Sequence, residues 1–182
     1  MPKRQIFYSF HFSRDFWRVQ QIRQMGVIEG NTTVSSNDWE TVKRNGYLAI
    51  KNWIDNAMRY RSCVVILYGN ETHSREWVQY EIEHGWNTGK GVLAIAIDRL
   101  EDQNGNQDIK GKNPLSNFIL NPYTGQVRQK RFISQYGEIN LAEVAPSFET
   151  QYCSSKYAYG DIKENLEWMI EDAINIRNKF PK

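Results

Sequence analysis

Three glutamates lie on one amphipathic segment, and only one of them is placed to face a cleft. The segment Ser74–Asn87 has the spacing of a helix, with Ser74 as a suitable N-cap. At 100° per residue, Glu76 and Glu83 fall on the solvent side. Glu81 falls about 60° from Val78, at the border of the apolar stripe, with Trp77 one turn before it. A carboxylate at this border can face a ligand, or it can pair with a surface arginine. The apolar stripe comprises Val78, Ile82, Gly85 and Trp86.

A second group of candidate side chains follows the first β-prone run of the chain. Ser9 and His11 lie where this run ends, and ligands of parallel α/β sheets bind at the carboxyl ends of strands. His11 is either a ligand contact or a loop histidine with an internal partner. Phe10, Trp39 and Trp77 can stack flat bases, but each is equally explicable as part of the core.

Several common chemistries are excluded by the absence of their motifs. No G-x-G-x-x-G follows the first strand, and there is no G-x-x-x-x-G-K-[ST], so both familiar phosphate loops are missing. No H-E-x-x-H or G-x-S-x-G occurs, and the strand ends lack the acidic cluster of a phosphoacceptor domain. The three histidines have no partner set resembling a zinc site. We therefore predict no metal and no resident cofactor.

The elements that position these residues follow a β-α order typical of a parallel sheet. Three apolar runs, Gln5–Ser9, Ser62–Tyr68 and Val92–Ile97, are predicted to be adjacent, parallel and central in one sheet. The helices Trp39–Tyr60 and Ser74–Asn87 are predicted to pack on it. This order predicts an α/β fold with helices on both faces of a mainly parallel sheet.

The chain of 182 residues is expected to form a single domain. Its core elements span residues 4–98, and a C-terminal helix over 161–178 begins at Asp161 as N-cap. Between them, residues 99–160 show a weak pattern with turn signals at Asn104–Gly105 and Asn113–Pro114. Lys130–Tyr136 is a candidate further strand.

Composition narrows the class of partner and the compartment. The net charge is +2, from 23 basic and 21 acidic residues, which is too balanced for a nucleic-acid footprint. The longest apolar run, Val92–Ile97, is far too short to span a membrane, and no secretory signal opens the chain. Cys63 and Cys153 are expected to be free thiols in a reducing compartment, by default the cytoplasm.

The segment S-R-E-W-V-Q-Y-E-I at 74–82 resembles the catalytic helix of TIR domains, whose W-x-x-x-E-[LI] pattern carries the essential glutamate. More narrowly, the chain is similar to the TIR-like proteins of the Thoeris anti-phage system (ThsB-type). Further matching pieces lie within residues 4 to about 115; they are Phe7-Tyr8-Ser9-Phe10-His11, Trp39-Glu40 and Asn113-Pro114. The resemblance implies a flavodoxin-like, three-layer fold.

The resemblance also implies an activity and a set of site residues. Enzymatic TIR domains cleave the nicotinamide–ribose bond of NAD⁺, so Glu81 is implied as the catalytic carboxylate and NAD⁺ as substrate rather than cofactor. The substrate-binding residues implied in this way are Ser9, Phe10, His11, Asp38, Trp39 and Trp77.

Thoeris proteins of this type transfer ADP-ribose to make a small signal, a cyclic ADP-ribose variant or a conjugate, which activates a separate effector. The resemblance therefore implies a diffusible signalling product, an effector partner reached through it, and self-association on activation. No nucleic acid or membrane is expected. Two other functions remain open: a non-catalytic TIR-like adaptor, and a flavodoxin-type nucleotide-binding module without glycosidic chemistry.

Overall fold

A computed structural model describes residues 4–26, 29–30, 41–130 and 137–181, and places one five-stranded parallel sheet at the centre. The strands are β1 (Gln5–Phe10), β2 (Glu29–Gly30), β3 (Cys63–Tyr68), β4 (Gly91–Ala96), β5 (Phe118–Leu120), β6 (Val127–Gln129), β7 (Ile139–Asn140) and β8 (Ser147–Phe148). Within the described residues the order of the strands in this sheet is β2-β1-β3-β4-β8, and every neighbouring pair is parallel. The helices are α1 (Phe12–Arg23), α2 (Tyr47–Met58), α3 (Glu76–Asn87) and α4 (Ser155–Arg177).

The three central strands are the three apolar runs of the sequence, as predicted. Every residue of β3 and β4 is buried, which is typical of parallel strands covered on both faces. In the register, Ser9 of β1 lies opposite Ile66 of β3, and Ile66 lies opposite Ala94 of β4. The α/β class with helices on both faces is confirmed.

The helices divide between the two faces of the sheet. Helices α2 and α3 cover the face that carries Phe7, Val64 and Tyr68, whereas α1 and α4 cover the opposite face. Helix α4 approaches β4 closely at Gly91. A Cβ there would lie 2.7 Å from the backbone nitrogen of Ile174, so only glycine allows this approach.

The predicted continuous helix Trp39–Tyr60 is interrupted in the structure. Residues 41–44 are helical, Asn45 lies in a turn, and α2 then begins at Tyr47. The interruption occurs at Gly46, whose φ of 87° lies in the left-handed region that ends helices. Trp39 itself lies outside the described residues.

The last helix begins earlier than predicted. Ser154, not Asp161, is its N-cap residue, so α4 includes two further turns. The carboxylate of Asp161 instead accepts a hydrogen bond from the Thr150 hydroxyl at 2.6 Å. This bond ties the loop before the helix to the second turn of the helix. Asp161 therefore makes a tertiary contact instead of capping the helix.

A small antiparallel sheet, β6-β5-β7, occupies part of the region 99–160 and packs against α3. Trp86 Nε1 donates to the Gly125 carbonyl at 3.0 Å, and the Asn87 side chain bonds both backbone polar groups of Val127. Of the predicted strand Lys130–Tyr136, residues 131–136 lie outside the described part of the chain; the observed strand is β6, just before it.

The described residues contain neither a membrane-spanning helix nor a cluster of metal ligands. No helix among them is long and apolar enough to cross a bilayer. No group of three or more histidine, cysteine, aspartate or glutamate side chains in the same residues is arranged to hold a metal ion. Cys63 is buried in β3 and Cys153 is exposed, and both are free thiols.

Candidate active site

The topology has a switch point between the carboxyl ends of β1 and β3. The crossover through α1 leads to β2 on one side of β1, and the chain then returns past β1 to place β3 on its other side. Since α1 and α2 cover opposite faces, the two crossovers diverge at this point. Such a switch point is where open α/β sheets bind their ligands.

Ser9 and Glu81 meet at this switch point. Successive side chains of a strand alternate between faces, so Ser9 shares the face of Phe7, which packs against α3. The Ser9 hydroxyl donates to Glu81 Oε2 at 2.5 Å. Ser9 is 1% exposed and Glu81 is 8% exposed, so both groups are nearly shielded from water. The structure thus joins two predicted site residues that are 72 positions apart in the chain.

The carboxyl group of Glu81 is unlike that of an ordinary surface acid. Burial raises its pKa to about 8, and the Ser9 hydrogen bond acts in the opposite direction without compensating. Among the described residues no arginine, lysine or histidine forms an ion pair with it. A border glutamate neutralised by a surface arginine, the ordinary alternative, is therefore not what the described residues show.

The other two glutamates of α3 differ from Glu81 in their environment. Glu76 is exposed in the first turn, and Glu83 is only half-buried. The predicted solvent side of the helix is confirmed for Glu76 and approximate for Glu83. These two residues provide controls for any test of Glu81, because all three carboxylates lie on the same helix.

Trp77 lies one turn before Glu81, within an aromatic group. Its ring centroid is 4.7 Å from that of Tyr47 and 6.0 Å from that of Tyr80. Tyr47 is 54% exposed, because the interruption at Gly46 places it at the start of a new helix. Tyr47 extends the aromatic surface beside the site and was not predicted there.

The structure does not place the predicted substrate-binding residues Phe10, Asp38 and Trp39 beside Glu81. Phe10 is half-buried on the opposite face of the sheet, where it packs with the α1 and α4 cluster; its ring centroid is 6.0 Å from that of Phe12. Asp38 and Trp39 lie outside the described residues. The substrate-binding role of these three residues stays a prediction.

His11 follows Ser9 by two residues in extended backbone, at the N-cap position of α1. Its Nε2 lies 3.0 Å from the Ser13 hydroxyl, and its buried Nδ1 has no hydrogen-bond partner among the described residues. Burial lowers its pKa, and the positive charge of Arg75 lowers it further. The imidazole is therefore mainly neutral at pH 7.

A buried acid supports the turn that precedes α3. Asp15 lies within the first turn of α1 and is fully buried. Its Oδ2 accepts from the Thr72 hydroxyl at 3.3 Å, and that hydroxyl accepts from the Gly69 amide at 2.9 Å. Burial raises the pKa of Asp15 to about 6, although the nearby Arg18 favours the ionised form. The only sequence signal was an aspartate–arginine pair at helical spacing.

Comparison with known proteins agrees with this architecture. Residues 7–102, more than half of the chain, match the sequence model of the family described as Thoeris protein ThsB, TIR-like domain. One curated relative, from Bacillus cereus (strain MSX-D12), is 27% identical over 188 aligned positions that cover 96% of each chain. It is named "Putative cyclic ADP-D-ribose synthase ThsB1". The Thoeris resemblance is thus confirmed, and the chain belongs to the ThsB family of TIR-like domains.

Proposed function

We propose that this protein cleaves the nicotinamide–ribose bond of NAD⁺ and converts the ADP-ribose group into a small signalling molecule. The observation that carries the proposal is the buried, hydrogen-bonded carboxyl of Glu81 at the switch point of the sheet. The family membership and the printed name of the curated relative support an NAD⁺-processing role.

The chemistry requires little acid catalysis. Nicotinamide is bound to ribose through a positively charged nitrogen, so the breaking bond returns its electron pair to that nitrogen and releases a neutral molecule. The ribose carbon is left with oxocarbenium character, as in glycoside hydrolysis. A hydroxyl of the same molecule, or water, then forms the new bond and loses its proton.

Glu81 would stabilise the positive charge that develops on the ribose. A carboxylate in a site shielded from water interacts with a cation far more strongly than one in bulk solvent. Ser9 holds the side chain in place by its hydrogen bond, so little reorganisation is needed at the moment of reaction. The aromatic pair Trp77 and Tyr47 would contact a flat part of the dinucleotide.

The raised pKa of Glu81 is consistent with this role. At pH 7 the free protein holds Glu81 mainly protonated, because its pKa is about 8. The positive nicotinamide ring of the bound substrate favours the ionised form. Substrate binding would thus lower this pKa and produce the charged carboxylate where it is needed.

The product is proposed to be a cyclic form of ADP-ribose, which would activate a separate anti-phage effector. The curated relative is named as a putative cyclic ADP-D-ribose synthase, and this supports cyclisation over simple hydrolysis. We also place the reaction in the cytoplasm, since an exposed free thiol such as Cys153 suits a reducing compartment.

Glu81→Gln tests the proposal, because it keeps the size of the side chain and removes its ionisable group. We expect parent protein incubated with NAD⁺ to release nicotinamide and a cyclic product, measured by mass spectrometry. Glu81→Gln should reduce the rate by about a hundredfold or more, since loss of a charge-stabilising group costs on the order of 3 kcal/mol.

The matched controls are Glu76→Gln and Glu83→Gln, which remove one carboxylate from the same helix and should change the rate less than about threefold. A Glu81→Gln variant as fast as the parent would refute the site. A parent that leaves NAD⁺ intact, alone and in extracts of phage-infected cells, would support the adaptor function instead.

A further inference from the structure

Two arginines converge on one acid beside the candidate site. Glu71 precedes the short turn Thr72–Ser74 that leads into α3, and its carboxylate pairs with the Arg75 guanidinium. Arg14 of α1 lies on the other side, with its Nη1 at 3.4 Å from Glu71 Oε1. The side chains of Glu71, Arg75 and Arg14 are 43%, 42% and 37% exposed, so a ligand can reach them.

Nitrogen atoms around this cluster lack partners. Arg75 Nε, His11 Nδ1 and His73 Nδ1 are buried, and each has no hydrogen-bond partner among the described residues. Buried polar atoms are rarely left unsatisfied, because each costs free energy when it loses water. Arg75 Nε belongs to the arginine pair and His11 is coupled to its charge, so a polar ligand bound there would satisfy both atoms.

The cluster lies at a suitable distance from the chemistry. His11 follows Ser9 by two residues in extended backbone, an advance of about 6.8 Å along the chain just beyond the end of β1. His11 is also close enough to Arg75, Glu71 and Arg14 for their charges to shift its pKa. A group held by His11 and Arg75 would therefore lie one sugar unit away from a ribose at Glu81.

Charge identifies the class of that group. In the free protein, Glu71 and Asp108 neutralise Arg75 and Arg14; Asp108 accepts two hydrogen bonds from Arg14, at 2.8 and 3.0 Å. The Asp15–Arg18 pair behind them adds no net charge. If Glu71 moved away, one positive charge would remain, with the Arg75 guanidinium and Arg14 Nη1 as donors. This arrangement suits phosphate oxygens, which guanidinium groups bind with paired hydrogen bonds.

We propose that Arg75, assisted by Arg14 and His11, binds the diphosphate of the dinucleotide, and that Glu71 occupies this position until substrate displaces it. The inference rests on the proposed function for its substrate and names a specificity determinant at the same site. Glu71 is then an internal competitor, so its removal should strengthen substrate binding. If the Glu71–Arg75 ion pair had only a structural role, removal of Glu71 would weaken substrate binding.

Isothermal titration calorimetry with inorganic pyrophosphate tests the anion site without any need for turnover. Glu71→Gln keeps the shape of the side chain and should tighten pyrophosphate binding by about threefold to tenfold. Arg75→Met keeps the apolar stem and should weaken binding by about tenfold or more. Glu76→Gln, an exposed acid next to Arg75, is the matched control and should bind like the parent.

Steady-state kinetics with NAD⁺ provide the second readout. KM should fall in Glu71→Gln and rise in Arg75→Met, with kcat changed less than about threefold in both, because ground state and transition state share the diphosphate contact. Glu71→Gln that binds pyrophosphate no more tightly than the parent, or Arg75→Met that binds it equally well, would overturn the inference. A parent that does not cleave NAD⁺ would refute the proposed function instead, and the pyrophosphate titration would still decide this site.

Discussion

Two carboxyl groups at helix α3, Glu81 on the helix itself and Asp55 of α2 beside it, differ in burial and in their charged partners. Glu81 projects to the sheet, receives one hydroxyl hydrogen bond and has a pKa raised to about 8 by burial. Asp55 of α2 lies beside the outer part of the same helix, where Tyr80 donates to it at 2.5 Å, and His84 and Lys51 lie within 3.4 Å. Although partial burial raises its pKa, these partners lower it overall.

This difference separates an acid that stabilises the fold from an acid that is available for chemistry. The partners of Asp55 satisfy its negative charge, so an additional cation would gain little there. Glu81 has no such counter-charge among the described residues, and its ionised form gains most from a cationic ligand. A strongly perturbed acid in a crevice is the expected sign of a functional site.

The pH dependence of kcat/KM is expected to show the largest effect among the tests of this comparison. If ionised Glu81 is the active form, kcat/KM for NAD⁺ should rise with pH and level off above about 8. Well below that value it should fall by about tenfold per pH unit, which amounts to about fiftyfold from pH 8 to pH 6. Rates of nicotinamide release across this range give the profile, with circular dichroism to verify the fold. A flat profile from pH 5 to 9 would mean that Glu81 is not the titrating group.

Ser9→Ala should sharpen the comparison with a smaller effect. Loss of a hydroxyl bonded to a carboxylate removes about 1.5 to 3 kcal/mol of support for the ionised form, so the pKa of Glu81 should rise by about one to two units. At pH 7 kcat/KM should fall by about tenfold or more, and the plateau should move to higher pH. Unchanged kinetics with a simple loss of stability would show that Ser9 supports packing alone.

Asp55→Asn should have the smallest effect, on stability and not on activity. The pKa of Asp55 is lowered in the folded protein, so its stabilising contribution exists above the unfolded pKa of about 3.8 and disappears as pH falls through the folded value. Urea unfolding at pH 7 should show a loss of about 0.5 to 1 kcal/mol. Nicotinamide release should match the parent. If this variant lost activity with an intact fold, the division between the two acids would be wrong.

The central sheet and the glutamate were predictable because their signals are local. The runs that form β1, β3 and β4 are continuous and apolar, and the border position of Glu81 follows from helical spacing alone. The contact of Glu81 with Ser9 could not be predicted from local signals, since it depends on which strand α3 crosses. Sequence reasoning brought both residues to one edge of the sheet but could not pair them.

Other parts depend on contacts between distant residues, which no local pattern reveals. Arg14 meets Glu71 and Asp108 across 57 and 94 positions, so the cluster beside the site was not predicted. The strands β5 and β6 have three residues each, too few for a periodic signal. The turn signal at Asn113 was nevertheless sound, because its side chain caps the short helical turn that begins at Pro114.

The close approach of α4 to Gly91 has a consequence for synthesis on the ribosome. Strand β4 is complete after residue 96, but the helix that covers its Leu93 and Ile95 begins only at Ser155. Until those later residues emerge, the part of this face that α1 does not cover remains exposed and prone to association. The core therefore closes late in translation, and a prematurely terminated chain would present chaperones and proteases with an apolar surface.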